Sequence, residues 1–119
     1  MKYLITESQI DKVIFKYLDN QDFLIHDQNK KFNSHIYFLN SESDKIAQIS
    51  VYVNNDFGEI RNWVFVNSDL INELTNFFSI DKTDCLNVVS SWVSNTLNIK
   101  VREVSSGFLY PERLNVKNK

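Results

Sequence analysis

Glycine, proline and cysteine are nearly absent from this chain of 119 residues, which holds two glycines, one proline and one cysteine. With only Gly58 and Gly107 available, no glycine-rich loop can wrap a phosphate. The same scarcity excludes collagen-like, linker and low-complexity character. A lone Cys85 allows no internal disulfide, so a reducing compartment is expected. C-x-x-C, H-E-x-x-H and EF-hand patterns are missing. Asp81-Lys82-Thr83-Asp84 lacks the glycine and the closing glutamate that a calcium loop needs. The opening apolar run, Met1 to Ile5, is too short for a signal-peptide core or a membrane span. A soluble protein of the cytoplasm is the expectation, with no membrane partner.

Neither sign of charge dominates, with 13 basic residues against 15 acidic ones. The net charge is −2 and the isoelectric point about 5.6, which gives no long-range attraction for nucleic acid or anionic lipid. Residues 99–119 carry a net +3 against −5 for residues 1–98. A basic end of this kind reads first as ordinary solvated lysine and arginine.

What is present is material for a core. Hydrophobic residues make up 43% of the chain, including nine Phe, five Tyr and two Trp, enough for one domain of ordinary size. That domain is expected over residues 1–107, with a tail over 108–119. Asn, Ile, Lys, Phe and Tyr supply 50 residues while Ala, Gly, Arg and Pro supply seven, a bias that points to an AT-rich genome.

Periodicity predicts the order α-β-β-β-β-α-α-β, an α+β domain with a mostly antiparallel sheet of four to five strands and three helices. Thr6 and Gln9 form a capping box, with Ile5 and Ile10 at the staple positions. Ile10, Val13, Ile14, Tyr17 and Leu18 follow as an apolar stripe. Strands are predicted at 23–27 and 34–39. Alternation from Ile46 to Val53 puts Ala47, Ile49, Val51 and Val53 on one face. A turn over Asn54 to Gly58 leads back into Ile60 to Val66. Ser68-Asp69 is expected to cap a helix with Leu70, Ile71, Leu74, Phe77 and Phe78 at helical spacing. Asp81 caps another from Lys82 to about Leu97, burying Cys85, Val88, Val89, Trp92, Val93 and Leu97. Ile99 to Val104 reads as the last strand.

Chemistry is sparse. A cysteine–histidine nucleophile would need Cys85 to meet His26 or His35, yet Cys85 shares a helix face with Val88, Val89 and Trp92, where a thiol is a small inert hydrophobe. His26, Asp27 and His35 could contact one metal from neighbouring strands, but zinc usually takes three or four protein ligands and no further Cys or His is available, so the strand pattern is the preferred account of the histidines. No catalytic residues, metal or cofactor are expected. The one binding candidate is the sheet face opposite Ala47, Ile49, Val51 and Val53. Tyr52 falls there by alternation, and Arg61, Trp63 and Phe65 share one face of the next strand, near Tyr37 or His35. Aromatics with one arginine are the composition of a binding hot spot, and such faces also stack nucleobases. The competing expectation is that the first helix lays its stripe over this face.

The opening Met-Lys-Tyr-Leu-Ile-Thr-Glu-Ser-Gln resembles the start of many small proteins encoded by bacteriophages, especially those of marine bacteria. Val13 to Phe23, Tyr37 to Ser41, Ala47 to Ile49 and Leu70 to Phe78 are similar to a subset of them. The resemblance implies a viral origin and brings no catalytic residues. Two expectations follow: a non-catalytic accessory or virion-associated protein that binds another macromolecule, in the host cytoplasm or the virion, or alternatively a small enzyme or a single-stranded nucleic-acid module using the aromatic face. A protein partner, self or other, is favoured over nucleic acid by the net charge.

Overall fold

The computed structural model describes residues 7–29, 33–41, 46–54 and 61–107. Its elements run α1 (Glu7–Asn20), β1 (Leu24–Asn29), β2 (Asn33–Leu39), β3 (Ile49–Asn54), β4 (Arg61–Val66), α2 (Ser68–Phe78), α3 (Lys82–Leu97) and β5 (Glu103–Ser106). This is the expected α+β order. The strands form one sheet in sequence order, β1-β2-β3-β4-β5. The first four pair antiparallel as a meander, and β5 joins β4 in parallel. A parallel neighbour needs a crossover, and α2 and α3 supply it.

Paired residues across these strands share a face. Phe38, Ile49 and Val66 form one row and Ile36, Val51 and Val64 the next. These rows belong to a single apolar core that also holds Ile14 and Leu18 of α1, Leu70, Ile71 and Leu74 of α2, and Cys85, Val88, Val89, Trp92 and Val93 of α3. All three helices therefore cover the same side of the sheet. Trp92 sits where the pieces meet, with its ring centroid 5.4 Å from Phe38 and 5.9 Å from Phe23. Its indole N–H donates to Asp19 Oδ1 at 2.9 Å.

Helix ends follow local chemistry. Asp81 caps α3 as expected, its Oδ1 accepting from the Asp84 N–H at 2.8 Å. The cap of α2 is Asn67 rather than Ser68: Asn67 Oδ1 accepts from the Asp69 N–H at 2.8 Å, and its Nδ2 donates to the Ala47 carbonyl at 3.3 Å. Asn67 can act at both ends of its amide because it is buried between α2 and the segment entering β3. Both helices end on residues in the left-handed region, Ser79 and Asn98.

Three further expectations are corrected. β3 begins at Ile49, and Ala47 leaves the row of Ile49 and Val51 to pack with Tyr37 and Leu39 in a separate small cluster. Val13 and Phe77 fall at helical spacing but are 50% and 68% exposed, since two helices packed on one side of a sheet leave their flanks in solvent. The last strand is Glu103–Ser106, later than expected. Ile99 closes α3, its N–H on the Ser94 carbonyl, and the Lys100 carbonyl accepts from Asn62 Nδ2 of β4 before the ladder begins. The capping box at Thr6, the turn over residues 55–60 and the tail over 108–119 lie outside the described residues.

Candidate binding face

The side of the sheet away from the helices carries the predicted aromatic set. β3 and β4 pair Tyr52 with Trp63 and Ser50 with Phe65, while β2 sets His35 beside Tyr52. Directly opposed side chains in an antiparallel pair lie close enough to interact. His35 and Tyr52 have ring centroids 5.0 Å apart, and Tyr52 and Trp63 5.7 Å. His35 also stacks on Tyr37, two residues on, at 6.1 Å. One aromatic row thus crosses three strands. Arg61 holds a register position on the same face, two residues before Trp63.

An α1 laid over this face would close it to any partner. Ile14 and Leu18 instead lie in the core beneath the opposite face, so the first helix is not its cover. Tyr37, Leu39 and Ala47 are buried as a cluster on the aromatic side, whereas Tyr52, Trp63 and Phe65 are half-buried. Trp63 has a further feature: its indole nitrogen is buried with no hydrogen-bond partner among the described residues. Such a donor costs free energy until an acceptor reaches it.

Glu103 was not foreseen here. It is exposed and pairs with Trp63 across the parallel β4–β5 contact, which extends the row to an acidic end. Nothing in the local pattern of residues 99–106 identifies a partner strand so far back in the chain.

The remaining candidates do not come together. Cys85 is fully buried among the helices, and burial pushes its thiol up to about 11. His26 and His35 stand on the far side of the sheet, in register with Tyr37 and Tyr52. Asp27 alternates to the other face from His26. No three His, Cys, Asp or Glu side chains converge among the described residues, and none of the described helices is long and apolar enough to cross a membrane.

The chain matches no protein-family model, no curated protein and no solved structure at a significant level.

Proposed function

We propose that this chain is a small bacteriophage accessory protein, of host cytoplasm or virion, that acts without catalysis by binding another protein through its aromatic sheet face. The observation that carries the reading is the Tyr52–Trp63 cross-strand pair, half-buried on the side of the sheet that the helices leave alone. Rigid aromatic side chains give large contact area at low entropic cost, and they dominate binding energy where they are desolvated. The viral assignment rests on the phage-like sequence patches and the AT-rich composition.

A protein partner suits the face better than a nucleic acid. Glu103 ends the aromatic row, where a carboxylate repels phosphate, and the net charge of −2 offers no compensating field. Trp63→Ala and Tyr52→Ala should each release a partner captured from phage-infected cells, while Phe77→Ala, on the helix side, should retain it. Unchanged capture by both sheet variants would overturn the reading. Tight binding of an oligo-dT probe by the unaltered protein, lost in Trp63→Ala, would replace the protein partner with single-stranded nucleic acid. Acrylamide quenching of Trp63 in a Trp92→Phe background checks the premise, since a fully shielded indole leaves no face to bind with.

A further inference from the structure

We infer that the cleft where α3 hands over to β5 binds a nucleoside monophosphate with an amino-bearing base, adenine or cytosine, on Asn62, Lys100 and Arg102. The observations are independent of the aromatic face. Asn62 alternates to the side of Val64, under the helices, while Trp63 and Glu103 lie on the other. Asn62 is 3% exposed, and its Nδ2 donates to the Lys100 carbonyl at 2.8 Å. A carbonyl only accepts, so this bond fixes which end of the amide is the oxygen. Asn62 Oδ1 is thereby turned the other way, buried and with no donor among the described residues. An orphaned buried acceptor costs free energy that a ligand N–H recovers.

Asn62 lines a cleft of about 610 Å³ together with Asn98, Ile99, Lys100, Val101 and Arg102. Small-molecule sites run to roughly 300–1,000 Å³, so a mononucleotide fits. The walls are held in place, because the Ile99 N–H closes α3 on Ser94 and the Arg102 N–H donates to the Asn62 carbonyl at 2.8 Å. Half-buried Ile99 and Val101 give an apolar surface for a flat base. Both charged residues of the described lining, Lys100 and Arg102, are exposed cations. Two cations at one site exceed the need of a single carboxylate and suit a phosphate dianion. The carbonyl end of α3 borders the cleft at Asn98, but its half charge is outweighed by two full positive ones. Because Asn62 Nδ2 is occupied, the amide offers a base only an acceptor. Adenine and cytosine bring an exocyclic amino group to such an acceptor, whereas hypoxanthine and uracil bring a carbonyl.

Titration of the isotope-labelled full chain with adenosine and cytidine monophosphates, followed by amide NMR, should give saturable shifts of the Asn62 side-chain amide and of backbone amides 99–102. Inosine and uridine monophosphates, with a carbonyl in place of the amino group, should bind roughly tenfold more weakly or worse. Adenosine without its phosphate should lose a similar factor. Lys100→Gln combined with Arg102→Gln changes two exposed side chains, and should weaken adenosine monophosphate by roughly tenfold with an unchanged circular dichroism spectrum. Asn62→Ala should abolish the preference for adenosine over inosine monophosphate. If that variant does not fold, the same pair of nucleotides on the unaltered chain decides the point. Absence of saturable binding by both amino-bearing nucleotides would overturn the proposal. So would equal affinity for adenosine and inosine monophosphates, or shifts confined to Tyr52 and Trp63.

Discussion

The indole of Trp92 and the carboxylate of Asp19 tie the third helix to the last turn of the first, with Nε1 donating to Oδ1 at 2.9 Å. The ring itself is buried against Phe38 and Phe23. Asp19→Ala would leave a part-buried N–H without its acceptor. A hydrogen bond to a charged group is worth about 2 kcal/mol, so the urea midpoint should fall accordingly. Trp92→Phe keeps most of the packing and removes the donor. Asp19→Ala should then cost far less in that background, and equal costs in both would show that the bond contributes nothing.

The two observed N-caps differ in burial, and their substitutions should differ in cost. Asp81 is exposed and bonds one backbone N–H. Asp81→Ala should cost about 1 kcal/mol, the usual value for a lost cap. Asn67 is buried and also holds the Ala47 carbonyl, so Asn67→Ala should cost more, about 2 kcal/mol. Equal midpoints for the two variants would mean that the Ala47 bond is immaterial.

Cys85 should resist labelling. Burial raises its thiol to about 11, leaving almost no thiolate at neutral pH, and it is the thiolate that reacts. A disulfide reagent should modify it only at the rate of unfolding, and fully in denaturant. Cys85→Ala should fold, losing about 1 kcal/mol from the core. Fast modification of the native protein would place the thiol at the surface.

Alkaline pH should loosen the contact between α1 and α2. The Tyr17 hydroxyl donates to Glu73, and this bond, with partial desolvation and the Glu73 charge, holds its pKa above 10.0. The folded state thus favours the protonated phenol. Its contribution is complete below the unfolded value of about 10 and is lost as pH rises through the raised folded value. Cys85 titrates with the same sign, so the test is a comparison: Tyr17→Phe should show a shallower alkaline fall in thermal midpoint than the unaltered protein. Parallel curves would remove Tyr17 from the account.

Much of this architecture is legible in the residues because its signals are local. The alternation of Ile49, Val51, Val64 and Val66, the stripe of α3 and the Asp81 cap each depend on neighbours a few positions away. The errors arise where tertiary contacts override that pattern. Ala47 fits the β3 alternation, yet its carbonyl is taken by Asn67 and its side chain joins Tyr37 and Leu39. Val13 and Phe77 fit their helical stripes, but a stripe has edges and only the sheet decides which positions fall outside. The grouping of Tyr52 with Trp63 and Phe65 follows from alternation once Val64 and Val66 are set on the inner side, a register that the β3–β4 pairing supplies. The side taken by α1, and the arrival of Glu103 beside Trp63, do not, because both are set by how the helices cross the sheet.

The parallel pairing of β5 with β4 has a consequence during synthesis. The meander from β1 to β4 is built from successive hairpins and can form as the chain emerges, whereas β5 arrives only after both crossover helices have been made. Until then β4 is itself a bare strand edge, with Trp63 and Phe65 beside its unmatched amides. Contacts between distant parts of a chain form late and slowly. A ribosome stalled after α3 would hold this half-finished sheet open, so the arrival of β5 is the step that closes it against unwanted strand pairing.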